Sequence, residues 1–265
     1  MDGARLSFVG SARTGDDLIH LAAPAALRPM IEEAADATWR ETLLDYANNR
    51  LFRRDLFVRG PNPIPARERD ALLHATPFTL LVAPERASFE APIPLGSLTG
   101  DPKIYRPIVE GLADGPKTFG QLARLPALAG VRAGALLQAL GLLIGGRQIH
   151  PLAMAGDDTA AAFNRSLLAR TAFDEIPTHL AAARVGTAVQ LEAEEMLAVR
   201  DALEGKDDTL ITARRGWEFM ARTNRRFRKD GVVLPDQAAH EAELAARIDA
   251  FKASKLPLLR NLGVL

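Results

Sequence analysis

Cysteine is absent from the 265-residue chain, which excludes disulfides, thiolate metal sites and cysteine nucleophiles and suits a cytoplasmic setting. No apolar run approaches the roughly 20 residues of a membrane span. The opening "MDGARLSFVGSAR" lacks the long apolar core of a signal peptide, so a soluble intracellular chain is expected, with no membrane partner. Charge of either sign is not in excess. Lys+Arg and Asp+Glu are both 33, so affinity for a polyanion would have to come from a local patch. Aromatic residues are only 6% while alanine and leucine abound, a balance that favours helices packed through small side chains.

The usual catalytic signatures are missing as well. "GLLIGG" (Gly141 to Gly146) lacks the Lys-Ser/Thr ending of a phosphate loop and the glycine spacing of a dinucleotide fold, and it follows a helix. It reads as a helix C-terminus. No nucleophile elbow occurs. The histidines (His20, His74, His150, His179, His240) include no pair three or four apart, which removes a local metal motif. Asp16, Asp17 and His20 share one turn, and a helix start explains them better than a metal site.

What is present begins with "RLSFVG", an alternating strand, and a helical stripe from Pro29 in which Trp39, Leu43, Ala47 and Leu51 fall four apart. "DLFVRG" predicts a strand over Asp55 to Arg59, "PARERDALLHA" a helix opened by Pro65, and "FTLLVAP" and "ASFEAPI" two short strands. A loop rich in Pro and Gly, "PIPLGSLTGDP", suggests a boundary near residue 95. Beyond it, helix, short helix, apolar helix and strand (residues 102 to 152) follow the order of a winged helix-turn-helix. "AMAGDDTAA" is a second weak linker. After it come a helix "AAFNRSLLAR", a turn at Gly186, an acidic-start helix near Glu192, a basic helix up to Gly231, and a last helix capped by Asp236. The expected fold is mainly α, with a small α+β N-terminal domain followed by winged-helix-like modules. The expected domains are 1–95, 96–156 and 157–265.

Two basic stretches are candidate interfaces. "YANNRLFRRDLFVRG" places Arg50, Arg53, Arg54 and Arg59 among Leu51, Phe52 and Phe57, and "ARRGWEFMARTNRRFRK" holds Arg222, Arg225 and Arg226. Leu51, Phe52 and Phe57 are expected to anchor the first junction in the core, with its arginines on the surface beside carboxylates such as Asp45 and Asp55. The second stretch could bind RNA or an acidic partner, or pair with the acidic helix Glu192 to Glu204. DNA reading by the third winged helix is disfavoured. That helix carries one basic residue, Arg132, and one amide, Gln138, too few to neutralise several phosphates. Nucleic acid is therefore not the expected partner.

In order and spacing, "LSFVGSA", "ANNRLFRRDLFVRG", "PFTLLV", "IYRPIVEGLADGPKTFGQL", "FNRSLLAR" and "LPLLRNLGV" resemble the C-terminal half of certain bacterial class I S-adenosylmethionine-dependent methyltransferases. That half holds the methyltransferase regulatory domain and winged-helix modules. It is similar to the corresponding part of bacterial protein lysine methyltransferases that modify outer-membrane proteins. The resemblance implies a non-catalytic regulatory, substrate-positioning or dimerisation half. Its partners would be a methyltransferase catalytic domain and a protein substrate, and a homodimer is compatible with it. The glycine-rich loop and ribose-binding acid of the cofactor domain have no counterpart here, so no catalytic, cofactor-binding or metal residue is expected in this chain. S-adenosylmethionine belongs to a separate or missing catalytic domain, and the chain is either a fragment or a separate subunit. The rival readings are a winged-helix nucleic-acid-binding protein and a free-standing oligomerisation scaffold.

Overall fold

The structure, a computed structural model, describes residues 2–13, 16, 18–152, 159–170, 177–206 and 208–265. Helices take 54% of the residues and strands 16%, the strands in small sheets. The chain divides into two compact units, Met1–Pro151 and Leu152–Leu265.

In the first unit, β1 (Leu6–Ser11) pairs antiparallel with β2 (Asp55–Arg59), Phe8 opposite Phe57, and a bulge between Phe8 and Gly10 leaves Val9 without a partner. Three helices lie between the strands: α1 (Ile19–Ala22), α2 (Arg28–Glu32) and α3 (Ala37–Ala47). The carboxylate of Asp36 caps α3 by accepting from the Trp39 amide. The face of α3 that is buried is Leu43 and Leu44, packed with Ala22, Ala23 and Ile31. Trp39 is half exposed, so the stripe read through it runs along the wrong phase of the helix. Leu51 is not helical at all. Asn48 ends the helix, its Nδ2 donating to the carbonyls of Ala22 (2.8 Å) and Leu44 (2.9 Å). Asn49 then takes φ 47°, a left-handed conformation asparagine tolerates better than most residues.

The chain continues through α4 (Ala66–Ala75) to β3 (Pro77–Leu80), then the hairpin β4 (Glu90–Ile93) and β5 (Gly96–Thr99). Next come α5 (Pro102–Ala113), β6 (Lys117–Thr118), α6 (Phe119–Leu122), α7 (Ala133–Gly145) and β7 (Ile149–Pro151). Thr118 and Gln121 form a reciprocal capping box on α6. The strand order β6-β3-β7, antiparallel throughout, corrects the boundary expected at 95. The central strand, β3, belongs to the expected first domain, whereas both its neighbours belong to the expected second. Its side chains Phe78 and Leu80 are buried. Residue 95 itself sits in the turn of β4–β5, where Gly96 adopts φ 131°. The Pro/Gly-rich run read as a linker is a hairpin turn. The expected order of helix, short helix, longer helix and strand occurs as α5, α6, α7 and β7, but the short strand β6 was not foreseen and the middle strand of the sheet comes from upstream.

The second unit contains α8 (Thr159–Arg170), the hairpin β8 (His179–Ala182) and β9 (Thr187–Gln190), α9 (Ala193–Leu203), α10 (Thr209–Arg222), the short hairpin β10 (Arg228–Lys229) and β11 (Val232–Val233), α11 (Gln237–Ser254) and α12 (Leu256–Asn261). Gly186 turns the first hairpin at φ 63°, as expected. The boundary expected at 156/157 falls in residues 153–158, outside those described. Helices α9, α10 and α11 close on Gly216, where an added Cβ would lie 3.3 Å from Leu244 and 3.6 Å from Leu197. The fully buried Asn164 ties α8 to the rest: its Nδ2 donates to the carbonyls of Ala181 (2.8 Å) and Val264 (2.9 Å), and its Oδ1 accepts from the Ala181 amide (2.9 Å).

Two substitutions test this packing. Asn164→Ala strands a buried backbone donor and two acceptors, so unfolding by denaturant should show a loss of about 3 kcal/mol or more; an unchanged midpoint would mean the unit does not depend on this amide. Gly100 abuts the ring of the buried Tyr105, which has no room for a methyl group. Gly100→Ala should therefore lower stability by about 1–3 kcal/mol through overpacking, read as a fall in melting temperature.

Candidate functional site

The run from Asn49 to Arg59 reverses the usual arrangement of charge and hydrophobicity. Leu51 is 83% and Phe52 91% exposed, and the preceding Tyr46 is 81% exposed, so the expected core anchoring by Leu51 and Phe52 does not occur. Only Phe57 turns inward, its ring edge-on to Phe8 at 5.9 Å. The arginines split into two pairs. Arg50 lies 3.4 Å from Asp16 and 3.7 Å from Asp45, its side chain 12% exposed. Arg53 reaches Glu41 (2.9 Å), Asp45 (3.1 Å) and Asp55 (3.0 Å), and lies over the Phe8 ring. Arg53 thus clasps α3 to β2, and Arg50 clasps α3 to the turn after β1. Burial alone would lower the Arg53 pKa; hydrogen bonds to Asp55 and Asp45 and the charges of both outweigh it and raise the pKa. Arg54 and Arg59 are exposed. They are the members of the group open to a partner.

The second basic stretch is not one helix. α10 ends at Arg222, where the Thr223 hydroxyl bonds to the Phe219 carbonyl (3.0 Å) and Asn224 turns at φ 54°. Asp230 and Gly231, both at positive φ, then close the β10–β11 hairpin; the Asp-Gly pair is a hairpin signal that the periodic reading passed over. Arg215 pairs with the buried Asp201 of α9 at 3.0 Å, as the acidic-helix reading anticipated, and Asp201 also accepts from the Thr212 hydroxyl. Arg225 and Arg226 are exposed but rest on the rings of Phe219 (5.5 Å) and Trp217 (5.0 Å). Arg247, which sequence reasoning missed, lies 4.2 Å over Phe227 and bonds Glu243 (2.8 Å) and Glu194 (3.5 Å). Burial lowers its pKa, and the bond and charge of Glu243 with the charge of Glu194 reverse that and raise it. Arg225, Arg226, Phe227 and Arg247 line a small cleft of about 380 Å³ together with Phe219, Met220 and Leu197.

Among the described residues no three His, Cys, Asp or Glu side chains converge as a metal site, and no helix is long and apolar enough to cross a membrane. Asp17 lies outside the described residues; Asp16 accepts from the Ser11 hydroxyl at 3.0 Å and pairs with Arg50. Gly145 and Gly146 of "GLLIGG" end α7, as expected, while Gly141 lies inside it. An adenosyl cofactor of a class I enzyme needs a glycine turn leading from a parallel strand into a helix. All strand pairs among the described residues are antiparallel, and these residues do not fit the group.

Residues 1–59, the segment that ends with β2, match the family described as predicted methyltransferase regulatory domain. The resemblance read from "LSFVGSA" and "NRLFRRDLFVRG" therefore holds. Over its full length the chain is 29% identical to the uncharacterized protein sll1526 of Synechocystis sp. (strain ATCC 27184 / PCC 6803 / Kazusa), covering 52% of it. In fold it is similar to PKMT2 from Rickettsia typhi, solved in complex with AdoHcy, with a TM-score of 0.53 at 15% identity over 98% of this chain and 56% of that one. A second structure of PKMT2 gives a TM-score of 0.51. The chain spans about half the length of the relatives it matches.

Arg53→Ala would leave three carboxylates facing one another without their cation. Stability should fall by about 2–3 kcal/mol, whereas Arg59→Ala should change it by no more than about 0.5 kcal/mol. Equal effects in thermal denaturation would show that the clasp contributes nothing special.

Proposed function

We propose that the chain is the non-catalytic half of an S-adenosylmethionine-dependent methyltransferase of the protein-modifying type, and that it docks a catalytic domain through the junction after α3. The observation that carries this reading is the exposure of Tyr46, Leu51 and Phe52 inside the segment that matches the regulatory-domain family. Large apolar side chains so close together and so exposed favour a covering partner, at roughly 25 cal/mol per Å² removed from water. Arg54 and Arg59 supply rim charge for steering. The AdoHcy in the PKMT2 structure supports a cofactor site on the catalytic portion, and the residues here offer none. On this reading the winged-helix-like helices α5, α6 and α7 pack against protein, since α7 has little basic surface to offer nucleic acid, and the cysteine-free chain works in the cytoplasm.

The portion of the Synechocystis relative that this chain does not cover can serve as the test partner. Calorimetry should show that it associates with the chain, and that Leu51→Ala/Phe52→Ala weakens association at least about tenfold, as expected of truncated interface anchors. The chain alone should give no heat with S-adenosylmethionine. Micromolar cofactor binding by the chain alone, or association indifferent to the double substitution, would refute the proposal.

A further inference from the structure

The first unit contains an open cleft of about 1030 Å³ between the residues around the α3 C-terminus and those of the β4–β5 hairpin and the α7 end. We propose that this cleft binds an acidic peptide segment. Four arginines line it, Arg13, Arg50, Arg54 and Arg147, against two carboxylates, Asp16 and Glu90. Asp16 is already held by Arg50 and Ser11. Arg13, Arg54 and Arg147 are exposed, and their guanidinium groups have no partner among the described residues.

The opposite wall is closed on itself. Gln148 accepts from the Ser88 amide at 3.0 Å and donates to the Gly146 carbonyl at 2.8 Å, and the amides of Gly146, Arg147 and Gln148 are spent on Leu142, Ile144 and Leu143. Only the Arg147 guanidinium is left over on that wall; Arg13 and Arg54 stand on the other. Among the described residues the Asn48 Oδ1 has no hydrogen-bond partner, whereas Arg50 Nη2 is already paired with Asp16 at 3.4 Å; both residues line the cleft.

This combination selects a ligand chemistry. Guanidinium groups without counter-ions call for carboxylate or phosphate, while the bare Asn48 Oδ1 calls for a hydrogen-bond donor. A small inorganic anion would fill only a small part of the cleft. A single-stranded nucleic acid brings phosphates but finds no aromatic side chain in the lining on which to stack its bases. An acidic peptide supplies carboxylates and backbone N–H groups together, and the volume, at the upper end of the about 300–1,000 Å³ usual for small-molecule pockets, suits several residues. The cleft shares Arg54 with the rim of the Leu51–Phe52 surface but is lined by neither Leu51 nor Phe52, and the inference does not depend on the methyltransferase reading.

The test is fluorescence anisotropy of a labelled hexaglutamate peptide with the full chain, alongside hexalysine and hexathymidylate. Saturable, salt-sensitive binding of hexaglutamate is expected, with hexalysine silent and hexathymidylate weaker. Arg54→Glu/Arg147→Glu should weaken the peptide at least about tenfold with the circular dichroism spectrum unchanged. Should that variant misfold, Ser97→Glu, an exposed residue lining the cleft, should produce a loss in the same direction. No binding of hexaglutamate, binding untouched by these substitutions, or tighter binding of hexathymidylate would overturn the proposal.

Discussion

One guanidinium organises the family-matched segment. Arg53 sits at the point where α3 gives way to β2, and its three carboxylate partners come from both elements: Glu41 and Asp45 from the helix, Asp55 from the strand. A planar fork can satisfy several oxygens at once, so a single side chain fixes the angle at which the strand leaves the helix. Because β2 is then positioned to pair with β1, the contact between Phe8 and Phe57 depends on it too. Lysine could not replace this arginine, since a point charge lacks the geometry to hold three carboxylates apart and in place.

The second unit uses buried polar groups for the same end. Asn164 joins α8 to β8 and to the backbone near the C-terminus, while Asp201 joins α9 to Thr212 and Arg215 of α10. Such groups are costly to bury unless every atom is satisfied. Satisfied, they specify one register among helices whose alanine-rich faces would otherwise slide. Gly216 adds a steric condition, since it lets α10 approach Leu197 and Leu244 closely.

Elements with strong local signals were legible in the sequence. The strands at Leu6 and Asp55, the helix behind Pro65, the Asp236 cap and the turn at Gly186 all follow from patterns confined to a few residues. Failures arose where a distant partner decides the outcome. Four-residue spacing placed Leu51 on the α3 stripe, but Asn48 leaves the helix because the Ala22 carbonyl, far off in sequence, takes its amide. The Pro/Gly run near 95 looked like a linker because nothing local reveals that β3 will pair with β6 and β7. At the candidate surface the stretch itself was legible, whereas the sorting of its arginines was not. That sorting depends on where the carboxylates of α3 stand in space.

The alternation from Arg50 to Val58 is the step that connects fold to function. Arg50, Arg53, Asp55 and Phe57 lie at least partly buried, while Leu51, Phe52, Arg54, Leu56 and Val58 are exposed. Arg54 and Phe57 excepted, charged residues face in and apolar residues face out over this run. A soluble surface gains nothing from that inversion, and the inward charges need an elaborate set of partners to be tolerated at all. Where the outward face is covered as proposed, the ion-pair clasp holds Leu51 and Phe52 ready at a fixed position and angle. A flexible loop would lose conformational entropy on docking; a clasped one loses far less. The same clasp holds Arg50 beside Asn48 at the edge of the basic cleft, so ordering the apolar anchors also orders the polar groups that line it.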